Sequence, residues 1–340
     1  MKQRDVLTGW RAMAAACFFA LGACGASDEP EPAAGSSAAE ADETFRVHGN
    51  KVTFEIAPVL LASDRVYPGP STVKMGGIPN LVGDPGIPGF SEPGVADVAT
   101  HAETQALRYS VEHPDVRIIM TVAEGYYRIV ARKSAGVETL ADLKGKRIAT
   151  IPNTSSAFFL HNMLKSVGLS EEDVTIQRII PLSDMPKALV NGDVDAVTIW
   201  EPEIENAYHA IGDDAVEFDG RDVYREIFGL NTTAANLADP DERARIKQYV
   251  KAVVEASAMI RDDPSVAWPL VEEATGYDRD LIERAWKHHG YPGNIAPDLL
   301  DVLEKEEIWL AAIDERPARS REELSALIDD SIIREVLEEM

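Results

Sequence analysis

Cysteine is nearly missing from this chain: of 340 residues only Cys17 and Cys24 carry a thiol, and both lie close to the N-terminus. Everything beyond residue 24 must fold without a disulfide, a thiolate metal site or a cysteine nucleophile. Basic residues are also scarce, 33 Lys and Arg against 58 Asp and Glu, for a formal charge of −25. So acidic a surface repels phosphate backbones and anionic headgroups, which excludes nucleic-acid binding. Hydrolase signatures are missing as well, with neither a G-x-S-x-G elbow nor an H-E-x-x-H helix in the sequence.

The N-terminus carries targeting signals instead. Lys2, Arg4 and Arg11 make it positive, and the apolar run Ala12 to Leu21 follows. Its ten residues are far too few for a mature membrane helix, which needs about 20. The pattern is that of a cleaved leader. Leu21-Gly22-Ala23-Cys24 resembles the bacterial lipobox, so residues 1–23 are expected to leave as a lipoprotein signal peptide and Cys24 to be acylated. Acyl chains stabilise membrane attachment by roughly 0.8 kcal/mol per buried CH₂. The alternative is an ordinary signal peptide with a chance cysteine. Residues 24–44 hold Ala, Ser, Glu, Asp and Pro with nothing to bury, and are expected to form a solvated tether. Loss of Lys2, Arg4, Arg11 and Asp5 with the leader turns 33 basic and 58 acidic residues into 30 and 57, a mature charge of −27.

Residues 139–203 alternate strand and helix with a chemical signal at most boundaries. Lys146 to Ile151 is a β-branched run ending at Pro152-Asn153, and Thr154, Ser155 and Ser156 supply hydroxyls where a helix must begin. That helix spaces Ala157, Leu160, Leu164 and Val167 helically and stops at Gly168. Val174 to Pro181 predicts a second strand, Ser183 a short helix with Pro186 in its first turn, and Asn191-Gly192 its end. Ala196 to Trp200 is apolar enough to lie inside a parallel sheet with helical crossovers.

The segments DLKGKRIA, N-T-S-S, NGDVDAV and WEP resemble the soluble receptors of ABC importers in the nitrate, sulfonate, taurine and thiamine-precursor group. The resemblance runs from about Val52 to the C-terminal helices and is strongest from Thr121 to Pro202. It implies a two-lobed α/β periplasmic-binding-protein fold of type II. Each lobe would be a mostly parallel sheet flanked by helices, with the ligand in the interlobe cleft. The expected lobes are 45–135 with 229–340, and 136–228. Val52 to Ile56 is expected to start the first sheet, and Thr100 to Glu103 to open a helix running to about Glu112. Asp239 is expected to cap a long helix with Pro240 at its first position, and Ser320 to Glu323 to form a capping box that opens a terminal helix. Where such receptors have a helix, this chain has GGIPNLVGDPGIPGF, and Gly76 to Phe90 is expected to line the cleft; a rigid surface loop fixed by prolines is the alternative.

Ligands in open α/β sheets bind outside the carboxyl ends of strands, against helix N-termini. One jaw of the candidate site is Thr100, His101 and Glu103, after a strand end at Asp97 to Ala99 that resembles the family's. The other jaw is Thr154, Ser155 and Ser156 with Trp200 and Glu201, where the indole could stack on a flat ligand and the carboxylate accept from an amine or ring N–H. Of Tyr126 and Tyr127, at the expected crossover, one faces the cleft because successive strand residues point to opposite faces; Tyr126 is taken as the candidate. The hydroxyls and backbone N–H groups at 154–156 suit an anionic group such as sulfonate or carboxylate. No Arg or Lys in these segments is an obvious clamp, however, so nitrate or a plain alkanesulfonate fits less well than a small organic solute that is zwitterionic, sulfonate-like, or polar aromatic or heterocyclic. His288-His289 lack the spacing of two metal ligands on one helix face, and Trp268, Trp286 and Trp309 are expected in the core. No metal and no cofactor is expected.

What the resemblance implies is a monomeric receptor in the periplasm or cell envelope. It would deliver its solute to an ABC permease and the permease's ATPase, and a lipid anchor would hold it at the membrane. A sensory lipoprotein for a signalling partner is one alternative. An enzyme like the eukaryotic pyrimidine-precursor synthase is another, although that relative uses a cysteine-rich motif absent here.

Overall fold

The computed structural model describes residues 44–84 and 91–340. The expected signal peptide, the lipidation candidate Cys24, nearly all of the tether and the Pro85–Phe90 part of the Gly/Pro-rich loop lie outside the described residues. In chain order the strands are β1 (Phe45–Gly49), β2 (Ser71–Met75), β3 (Val98–Ala102), β4 (Val116–Tyr126), β5 (Arg128–Arg132), β6 (Arg147–Ala149), β7 (Thr175–Gln177), β8 (Ala196–Val197), β9 (Ala215–Asp219), β10 (Arg225–Thr233) and β11 (His289–Gly290). They form two sheets, of order β11-β4-β10-β3-β1-β2 and β7-β6-β8-β5-β9. In the first, β1 pairs in parallel with β2 and β3, while β10 is inserted antiparallel between β3 and β4. In the second, β6 pairs in parallel with β7 and β8, and β5 runs antiparallel to β8 and β9. This is the two-lobed α/β architecture of type II.

Strand boundaries differ from the sequence reading in an instructive way. The first strand was expected at Val52 to Ile56, but it is Phe45–Gly49, and Phe54–Ile56 is a single 3₁₀ turn leading into the helix Ala57–Leu61. Pro58 has no N–H to give a sheet ladder and suits the first turn of a helix, whereas Phe45 and Val47 are fully buried in a strand that has parallel neighbours on both sides. Similarly β3 continues to Ala102, so the helix expected to open at Thr100 starts at Glu103.

The chain passes between sheets at Tyr127 and again across Gly220 to Tyr224, earlier than the expected boundaries near 135 and 228. The two passages are tied together, the Gly220 N–H donating to the Tyr127 carbonyl at 3.0 Å. A β-carbon on Gly220 would lie 2.0 Å from the ring of Phe159, itself fully buried. Gly220→Ala is expected to cost about 1–3 kcal/mol through overpacking, read as a shift in the urea midpoint; an unchanged midpoint would show that the Phe159 ring gives way freely.

The longest helix, Pro240–Asp262, starts as expected with Asp239 accepting from the N–H groups of Asp241 and Glu242. It buries Ile246, Tyr249, Val250, Val253 and Ile260, a stripe at helical spacing that packs on the first sheet's cluster. Ser320 and Glu323 form the expected capping box. Trp286 and Trp309 are buried and Trp268 packs against the first cluster, so these indoles belong to the cores.

Candidate functional site

Between the two sheets lies a cavity of about 140 Å³. Its walls come from the carboxyl ends of parallel strands in both lobes: Asn50 after β1, His101 and Ala102 ending β3, Ile151 after β6, Arg178 after β7 and Trp200 after β8. Glu55, Glu226 and Phe228 complete the side formed by the first sheet and its flanking turn.

Ser155 is the junction of this site. Its hydroxyl donates to Glu226 Oε1 at 2.8 Å, lies 2.9 Å from the Tyr127 hydroxyl and accepts from Trp200 Nε1–H at 3.2 Å. A serine hydroxyl has one proton and two lone pairs, so with Tyr127 donating, every capacity is used inside the protein. Ser155 fixes Glu226 and Trp200 rather than offering itself. Thr154 spends its proton on the Ile151 carbonyl at 2.7 Å and does not cap the helix Ser155–Ser166. The first-turn amides of that helix, at the cavity wall, therefore have no capping side chain, and its positive dipole end faces the cleft.

The acidic groups are distributed unexpectedly. Glu55 and Glu226 both line the cavity while almost fully buried, and each has one oxygen, Oε2, with no hydrogen-bond partner among the described residues. Burial, with the charge of Glu55 next, pushes the Glu226 carboxyl far above its ordinary value. Burial also pushes Glu55 upward, but the hydrogen bond and charge of His289, whose Nε2 lies 3.5 Å away, outweigh it and leave Glu55 below its ordinary value. The two carboxyls of this wall are thus pushed in opposite directions, Glu55 toward its charged form and Glu226 toward its neutral one. On the opposite wall Arg178 is exposed and makes no hydrogen bond or ion pair among the described residues.

Of the candidate residues, the structure brings His101, Thr154, Ser155 and Trp200 to this cavity and sends the others elsewhere. His101 is not a cation: burial, helped by Arg108, lowers its pKa to about 4. Its Nδ1 accepts from the Ile78 N–H at 3.2 Å, which leaves the ring proton on Nε2. Thr100 is fully buried against Gly49, where a β-carbon would sit 2.2 Å from its hydroxyl oxygen. Glu103 turns under the sheet to the Tyr224 hydroxyl at 2.6 Å, beside Glu306. Ser156 is a fastener, 2.9 Å from the Thr150 hydroxyl and donating to the Thr198 carbonyl. Tyr126 bonds Glu124 and lies under Arg221, away from the cavity; its neighbour Tyr127 is the one beneath the site. The loop from Gly76 contributes Gly76 itself to the wall.

Glu201 is captured by Arg128, which donates to it at 2.7 Å, to Glu217 at 2.5 Å and to Glu205. Burial still lifts Glu201 to about 7 against the opposing pull of Arg128. Glu201, Glu205 and His288 place potential metal-ligand atoms within 4.8 Å of one another. The guanidinium already supplies positive charge there, and burial lowers the His288 pKa to about 3.

Residues 90–267 match the family profile described as NMT1/THI5 like. The chain belongs to that family. A Bacillus subtilis (strain 168) protein named for aliphatic sulfonate binding is 29% identical to this NMT1/THI5-like chain over 218 residues, 62% of each. The chain thus spans less than two thirds of that relative's length. Among solved structures, the periplasmic aliphatic sulphonate binding protein SsuA from Escherichia coli superposes with a TM-score of 0.67 over 84% of this chain and 92% of that one, at 19% identity. The desulfurization enzyme DSZB superposes at 0.60 over 87% and 99%, at 16% identity. At such identities the likeness establishes the fold, and that fold hosts both binding proteins and an enzyme.

Glu55, Glu226 and Arg178 escaped the sequence reading. Glu226 lies on an inserted strand far from the motif segment, and Glu55 in a turn read as strand. Arg178 was inside a segment read as continuous strand; β7 stops at Gln177, which frees Arg178 to enter the wall.

Proposed function

We propose that the protein is an extracytoplasmic solute receptor of an ABC importer that binds a small zwitterion, such as an amino sulfonate, amino acid or charged heterocycle, between its lobes. One observation carries this reading: the two walls have opposite polarity. The first lobe offers the unpartnered oxygens of Glu55 and Glu226 to a cation or N–H donor, and the second offers Arg178 and an uncapped helix N-terminus to an anion. Leaving such oxygens unpaired costs about 1–3 kcal/mol each, a cost that a ligand donor would relieve. A molecule with both charges interacts fully only when both walls reach it, so its affinity is higher for the closed arrangement, the condition for driving closure. A cation bound beside Glu226 would favour its ionised form, the proton leaving to solvent.

The relatives named for sulfonate binding support the anionic half of this ligand, and their periplasmic setting supports the location. The leader and Cys24 support export and a lipid anchor. Binding rather than catalysis is favoured because the cavity-lining residues include no nucleophile beside a free base, Ser155 being fully engaged.

Native mass spectrometry of the purified protein is expected to reveal a copurifying zwitterion, and re-adding it to the stripped protein should raise the melting temperature. At a hundredfold excess over Kd such stabilisation is about 2.7 kcal/mol. Glu226→Gln and Arg178→Ala should each weaken binding at least about tenfold, the scale of one charge-assisted hydrogen bond. Undiminished affinity in both variants would remove the reading.

A further inference from the structure

The cavity described above is close in size to an engineered hole of roughly 150 Å³ that accepts one benzene. A head group of that size fills it, and any further part of the molecule must leave through a wall. A second cavity of about 350 Å³ adjoins it, with Thr53, Ile180, Leu182 and Trp200 as shared walls. The side chains proper to this second chamber are of a different kind. Val52 and Met75 come from the first lobe, and Pro181 and Pro202 from the second. Its carboxylates are already engaged, Glu203 accepting from the Tyr277 hydroxyl at 2.6 Å and Glu201 from Arg128. Apart from the Ser183 hydroxyl, the remaining walls offer apolar surface that a ligand would remove from water on both sides.

We propose that this chamber is a second subsite for the same solute and takes an aryl or alkyl extension of it, so that the bound molecule is a zwitterionic head carrying an apolar tail. This rests on the reading of the first chamber as the head-group site. Trp200 is the divider: its Nε1–H is held by Ser155 in the first chamber while the indole also walls the second. Removing a ring the size of a phenylalanine side chain from water strengthens binding by at least about tenfold, so the tail decides which zwitterions are taken up. Because both lobes line the chamber, the tail also favours the closed arrangement.

The test uses three amino acids with one zwitterionic head and growing side chains: alanine, phenylalanine and 4-phenylphenylalanine, titrated calorimetrically into the full mature protein. Affinity is expected to rise at least about tenfold from the first to the last. Val52→Trp, which fills the chamber, and Met75→Asp, which places a charge in it, should each return the longest probe to the affinity of alanine and leave alanine unchanged. Equal binding of all three probes would overturn the second subsite and leave the head-group reading standing. A length preference that survives in both variants would overturn the placement, and binding of none of the three would overturn both readings.

Discussion

Arg128→Met is expected to lower the stability of the folded chain by about 3–5 kcal/mol at pH 8, the range found when one partner of a buried ion pair is removed. Arg128 is the first residue of β5, and its guanidinium gathers Glu201, Glu205 and Glu217 from the end of β8, the following helix and β9. Methionine matches much of its length but leaves Glu201 buried without a guanidinium and Glu205 with only the more distant Arg284 at 3.7 Å. Their charged forms then carry most of the desolvation cost. The sign with pH follows: carboxyls whose folded pKa is raised retain a proton that the unfolded chain releases, so the penalty grows as pH rises from the unfolded value and shrinks as pH falls toward it. Urea unfolding at pH 5 and pH 8 should therefore show the smaller loss at pH 5. A loss under about 1 kcal/mol at both pH values, within the range of an exposed pair, would mean that the cluster does not hold the second lobe together.

Glu103→Gln is expected to stabilise the protein at pH 8 and to do little at pH 4.5. Burial raises Glu103 to about 7 despite the Tyr224 hydroxyl, and burial together with the charge of Glu103 pushes Glu306 far above its ordinary value. Between the unfolded value near 4.5 and the folded value near 7, the folded state holds a proton that the unfolded state has lost, so stability falls as pH rises through that window. At about 1.36 kcal/mol per pH unit, the total for Glu103 is at most on the order of 3 kcal/mol. Glutamine keeps an acceptor for Tyr224 and cannot ionise. Glu307 acts in the opposite direction at lower pH. Burial raises it, yet Arg316 and Arg319 hold it at about 2, so its stabilising contribution is present above about 4.5 and is lost as pH falls toward 2. Stability should consequently peak in mildly acidic solution. A wild-type urea midpoint that climbs steadily from pH 5 to pH 8 would contradict the buried acids.

Much of the second lobe, and the long helix of the first, was legible residue by residue. Gly192 with φ +77° ends its helix, Asp239 caps the long one, and the order of strands and helices through residues 139–203 follows from apolar spacing and turn residues. The hydroxyl triplet at 154–156 was found, but its division of labour was not. Neighbouring helix residues diverge by about 100°, so Ser155 meets the cleft while Ser156 meets Thr150 and Thr198. Tyr126 and Tyr127 show the same effect through the alternation of an extended chain.

The sequence by itself determined the local conformations, the acidic charge, the lack of thiol chemistry beyond residue 24 and the family, because backbone preferences and composition depend on near neighbours. Only the tertiary structure decided the site. Glu55, Arg178 and Glu226 converge because three distant segments end at one cleft, and Glu103 and Glu201 were drawn away by Tyr224 and Arg128. Whether a buried carboxyl is free for a ligand depends on which long-range partner reaches it first, and periodicity along the chain carries no record of that pairing.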